Sequence, residues 1–115
     1  MRAMHRPAMV LEINSVDIHP GREAAFEQAF AQCIPLLLRV EGCRGATLLR
    51  CVEHPGRYMV QVEWNRLSDH VDGYPATAEA AEIRSLLRPL IARAEPMHFE
   101  AAGDRGITPR PTSPA

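Results

Sequence analysis

Residues 8 to 18 alternate, with Met9, Leu11 and Ile13 on one side of an extended segment and Val10, Asn14 and Val16 on the other, the period-two pattern of a strand. His19-Pro20-Gly21 ends it. The period then lengthens: Phe26, Phe30, Cys33 and Leu37 share one face of a helix running to about Arg39, with Pro20 suited to an early position and Glu23 to a first turn that favours a carboxylate. Pro35 removes one backbone N–H and predicts a kink before the last turn. Gly42 supplies a helix-ending glycine, and Cys43 to Val52 reads as a second strand with Ala46 and Leu48 opposite Thr47 and Leu49. The turn His54-Pro55-Gly56-Arg57 joins it to Tyr58–Trp64 as an antiparallel hairpin. A short helical turn over Leu67–Asp72, capped by Ser68 or Asn65, breaks at Gly73-Tyr74-Pro75. A second helix spans about Ala76 to Ile91, with Ile83, Leu86, Leu87 and Leu90 inward and Pro89 weakening its end. Pro96–Ala101 reads as a short last strand.

Strand, helix, strand, strand, helix, strand is the split βαβ order of a ferredoxin-like α+β fold: a four-stranded antiparallel sheet with two helices on one face. The other face carries apolar residues from several strands, and a two-fold homodimer with the sheets facing each other would cover it. Residues 1–7 are expected to be a flexible N-terminus, 8–102 the folded domain, and 103–115, poor in apolar surface, a disordered tail.

Composition narrows the function. At 115 residues with 46% hydrophobic content the chain can bury a single core, and a net charge of -1 provides no field to draw nucleic acid or an anionic membrane. All thirteen basic residues are arginine and they are scattered, which fits codon usage better than a binding surface. The strands also lack the exposed aromatic pair with a basic surround that RNA binding requires. Cys33, Cys43 and Cys51 show no metal-ligating spacing and read as reduced core thiols. No apolar leader or membrane-length run is present, so a cytoplasmic location is expected.

Candidate chemistry gathers where the third strand ends. Trp64 is the chain's single tryptophan, and its ring either lines a cavity or is plain core. His70 is either a general base, since imidazole titrates near neutrality, or a solvated residue at a helix start. His98, opposite Met97 and Phe99 in the alternation, faces the same choice between the pocket and a structural hydrogen bond. Asn14, a buried amide on an apolar strand, holds a ligand or bridges to a neighbour. Tyr74 is a lid residue or a loop anchor. Arg84 contacts an anion or, with Arg88, forms a solvated face.

Several stretches together, Ile18-His19-Pro20-Gly21-Arg22-Glu23 into Phe26, Glu41-Gly42-Cys43, Tyr58 through Trp64, His70 and His98-Phe99-Glu100, resemble the antibiotic biosynthesis monooxygenase family over residues 8 to 102. The resemblance implies a dimeric α+β barrel with a pocket in each subunit between helices and sheet. It also implies oxygen chemistry with no metal and no cofactor, in which a deprotonated phenol itself reduces O2 and the protein deprotonates, orients and excludes water. Trp64 matches the family's pocket tryptophan and Arg84 an arginine on the second helix. His70 stands where such members place a tyrosine and Val60 where they place an asparagine, so the family's polycyclic substrate does not carry over. A haem-degrading branch is disfavoured: Asn14 fits its asparagine, but Gly73 and Ile83 occupy its tryptophan and histidine positions. The expected function is a homodimeric, cofactor-independent monooxygenase oxidising a small aromatic, phenolic or quinol-type compound, with His70 or His98 as catalytic base and Trp64, Arg84, Asn14 and Tyr74 binding substrate. The alternative is a non-catalytic or stress-related barrel that holds an apolar metabolite.

Overall fold

The computed structural model describes residues 9–102. The chain runs β1 (Val10–Ile18), α1 (Glu23–Leu37), β2 (Cys43–Arg50), β3 (Arg57–Trp64), α2 (Ala78–Leu87) and β4 (Ile91–Glu100). The strands form one antiparallel sheet in the order β2-β3-β1-β4, the ferredoxin-like arrangement expected from the element order. The expectations for residues 1–7 and 103–115 lie outside the described residues. Among the described residues no helix is long and apolar enough to cross a membrane.

One phase of the sheet faces the helices. Val10, Glu12, Val16 and Ile18 of β1 and Tyr58, Val62 and Trp64 of β3 are buried there. Phe26, Phe30, Cys33 and Leu37 of α1 meet them, as their helical spacing predicts, and Ile83 and Leu90 close the layer from the second helical segment. Phe26 and Trp64 are fully buried, and each such side chain contributes roughly 1.5–3 kcal/mol through loss of apolar contact with water.

Four boundaries differ from the sequence reading. The first helix stops at Leu37 rather than Arg39, because Arg39 and Val40 donate to carbonyls only three residues back and tighten the end of the helix. The segment after β3 is a five-residue π turn, Asp69–Gly73, and neither Ser68 nor Asn65 caps it. Asp69 reaches back instead, its carboxylate accepting from the Arg66 backbone N–H at 3.1 Å. The second helix is shorter than expected because Thr77 caps it, accepting from the Ala80 N–H at 3.0 Å, and Pro89 turns Arg88–Leu90 into a separate 3-10 turn. The last strand begins at Ile91, well before Pro96. Its first half is built from Ala92, Arg93, Ala94 and Glu95, which carry no strand pattern of their own and are held by pairing with β1.

Candidate functional site

Register brings the site together. On β1, Glu12 lies between Val62 of β3 and His98 of β4, and Trp64 sits one inward position further along β3. The Trp64 indole N–H donates to Glu12 Oε1 at 3.0 Å, which satisfies a buried indole and gives a buried carboxylate one partner. His70, carried on the π turn, lies with its Nε2 3.3 Å from the same oxygen and its ring stacked on the indole at a centroid separation of 5.0 Å and an interplanar angle of 22°. Tyr74 packs edge-on against Trp64 at 5.7 Å. The other nitrogen of His70, Nδ1, is 2.7 Å from Nε2 of His98, so one imidazole donates to the other.

Gly42 makes room for this turn. It has φ +87° and its carbonyl accepts from the Asn65 N–H at 2.7 Å, while a side chain at this position would collide with the Asp69 carboxyl. The turn that presents His70 therefore packs against backbone.

Behind the polar cluster lies a cavity of about 120 Å³ between α1, α2 and the sheet. Its wall is mostly apolar, including Phe30, Val60 and Ile83, with Glu12, Asn14 and Tyr74 as its main polar points. Asn14 Oδ1 is buried and has no hydrogen-bond partner among the described residues. Such an acceptor costs about 1–3 kcal/mol unless something donates to it.

Burial pushes the His70 pKa below its ordinary 6.5, with the nearby His98 adding to the effect and Glu12 opposing it, so the ring is a neutral proton acceptor at neutral pH. Burial likewise pushes the Tyr74 phenol up to about 12, keeping it protonated. The Cys33 thiol is raised to about 11, again mainly by burial, and so is no nucleophile. Among the described residues no group of three or more His, Cys, Asp or Glu side chains converges to hold a metal ion.

Of the residues singled out from sequence, Trp64, His70, His98, Asn14 and Tyr74 converge on this cluster and its cavity. Arg84 does not. Helix α2 turns Ile83 and Leu87 toward the cavity, which leaves Arg84 exposed on the outer side beside Ser85 and Arg88. Arg84 thus occupies the solvated face given above as its alternative. Glu12 was the omission, although its alternation with Val10, Asn14 and Val16 placed it on the inward phase.

A model of the antibiotic biosynthesis monooxygenase family matches residues 9–85. The chain belongs to that family. Among its relatives, the uncharacterised protein YczJ of Bacillus subtilis is 35% identical over 79 residues, spanning 69% of this chain and 83% of its own length. A structure from Bordetella bronchiseptica assigned to the same family has a TM-score of 0.80 at 35% identity, covering 83% of this chain and 98% of its own. SnoaB, a cofactor-independent oxygenase from Streptomyces nogalater, has a TM-score of 0.70 at 25% identity, covering 94% of this chain and 99% of its own.

Proposed function

We propose that this protein is a cofactor-independent monooxygenase that takes a single-ring phenol or hydroquinone into the cavity and oxidises it with O2, working as a homodimer. The observation that carries this reading is the unpartnered Asn14 Oδ1 inside an apolar chamber, a short distance along β1 from Glu12. A phenolic O–H is the donor that such an acceptor lacks, and the ring suits the walls. Size supports one ring: the chamber measures about 120 Å³, and a dry cavity of about 150 Å³ holds benzene.

The chemistry asks little of the protein. Removing the phenolic proton gives an anion electron-rich enough to reduce O2 directly. Oxygen adds at a ring carbon as a hydroperoxide, and loss of water leaves the quinone, one oxygen atom in the product and one in water. His70, neutral and close to Glu12, supplies the basic side of the site, while Trp64 and Tyr74 exclude solvent. The kinship with SnoaB supports oxygen chemistry without a cofactor.

Oxygen uptake with simple phenols, hydroquinones and the tricyclic anthrones is the test. Single-ring substrates should consume O2 well above the buffer rate, anthrones should not, and His70→Ala should lower kcat roughly a hundredfold. Asn14→Leu, which fills the amide's space with apolar atoms, should weaken phenol binding while leaving the urea midpoint unchanged or higher, since it removes a buried unpaired group. Tight binding of phenols with oxygen uptake no faster than buffer would favour the holding protein instead, a reading that the mostly apolar wall of the cavity also accommodates.

A further inference from the structure

The cavity lies between the helices and the sheet, and a proton taken from a bound phenol must be held elsewhere until the peroxide formed with O2 takes one back. Glu12 lines the cavity, and its Oε1 is 3.3 Å from His70 Nε2. His70 Nδ1 is 2.7 Å from His98 Nε2, and His98 is exposed. Three titratable groups thus span the distance from chamber to solvent in two short steps, each link supplied by a different element: β1, the π turn and β4. We infer that Glu12, His70 and His98 form a proton wire that drains the cavity, with Glu12 taking the phenolic proton and His98 releasing it to water. The inference rests on the phenol-binding reading above, and it assigns to Glu12 and His98 roles that the position of His70 alone does not.

The balance is simple. The wire runs outward from the tautomer in which His70 carries its hydrogen on Nδ1 and donates it to His98 Nε2, leaving the Nε2 lone pair toward Glu12. The phenol O–H turns from Asn14 Oδ1 to the Glu12 carboxylate, the O–H bond breaks and the proton joins that carboxylate. Glu12 passes a proton to His70 Nε2 as the Nδ1 proton moves to His98 Nε2, and His98 releases its Nδ1 proton to solvent. One proton leaves the phenol, one reaches water, and no electron moves. When O2 has added, the peroxide takes one proton back along the same path, from water through His98 and His70 to Glu12, which returns both rings to their starting tautomers. Among the described residues, the titratable and charged groups around the wire are Glu12 from β1, His98 from β4, Tyr74 from the turn after Gly73 and Cys43 from β2, with Cys33 of α1 and Arg84 of α2 acting on Tyr74 and Glu63 of β3 acting on Cys43. The Trp64 N–H fixes the carboxylate, and the stack of His70 on the indole fixes the ring, so both donor and acceptor are pre-oriented.

A turnover-independent experiment tests this. The probe is para-nitrophenol, a single-ring phenol whose anion absorbs visible light, bound to the full chain and subjected to a pH jump in dilute buffer. The relaxation of the bound chromophore between phenol and phenolate should be fast in the unsubstituted protein and slower by roughly a hundredfold in both His98→Ala and His98→Gln. Free imidazole should restore most of the rate in His98→Ala, where the vacated space admits it, and not in His98→Gln. Glutamine keeps a hydrogen-bond partner for His70 but cannot carry a proton, so a purely structural His98 would leave the glutamine variant fast. Equal relaxation in all three proteins, or a slow alanine variant that imidazole does not rescue beside a fast glutamine variant, overturns the wire while leaving the binding site intact. Failure of para-nitrophenol to bind the unsubstituted protein overturns the phenol reading and the wire with it.

Discussion

A histidine held neutral by its surroundings ties stability to pH. Because burial lowers the His70 pKa from 6.5, the unfolded chain binds a proton at His70 more readily than the folded one. The contribution is fully present above pH 6.5 and is lost as pH falls through that value toward the lower folded pKa. Urea midpoints measured from mildly alkaline to mildly acidic buffer should therefore drop on the acid side, and His70→Gln should flatten that slope. At this scale the sequence was readable where a side chain's chemistry was unusual for its place. The lone tryptophan at a strand end, the histidine beyond it and the asparagine on an apolar strand all announced themselves, and all reach the cluster. Glu12 did not, because an acidic residue on a strand ordinarily belongs to the solvent face, and only the indole N–H and the imidazole make its burial tolerable. Arg84 was read from family likeness alone. The neighbouring Ile83 claims the inward side of α2, and one residue on from it the helix has turned by about 100°.

Elements set the precision of the site. The π turn is held at its start by Asp69, whose carboxyl packs where Gly42 has no side chain. Gly42→Ala should cost about 2 kcal/mol or more, since the residue must hold a positive φ and its methyl group meets the Asp69 carboxyl. A lower urea midpoint together with shifted His70 ring resonances would show that the turn, not only the fold, had moved. Strands with strong alternation were legible: β1, β2 and β3 fall close to where apolar period two placed them. The first half of β4 was hidden for a physical reason. Its residues gain their conformation from the β1 ladder rather than from side-chain burial, and nearly the whole strand is exposed in the isolated chain. The π turn was hidden too, since a wide turn differs from a helical one by a single residue that no hydrophobic period reports.

At the scale of the molecule, the sheet face turned away from the helices is the open question that the fold poses. Leu49, Met59, Met97 and Phe99 lie there at 37–57% exposure, on three different strands. So large an apolar face on a small domain invites a partner, and a second copy related by a two-fold axis is the simplest complement. Light scattering should report about twice 12.8 kDa for the chain, and Met97→Lys with Phe99→Glu should halve it without altering the far-ultraviolet spectrum. A single-copy mass for the unsubstituted protein would overturn the dimer. The sheet's β4 border bears on what kind of assembly forms. Pro96 sits midway along β4 with no N–H to offer a newcomer, and Arg93 and Glu95 pair there at 3.0 Å. Growth by adding strand to strand is thus interrupted at that rim, so crowding should drive these molecules into discrete particles rather than fibrils.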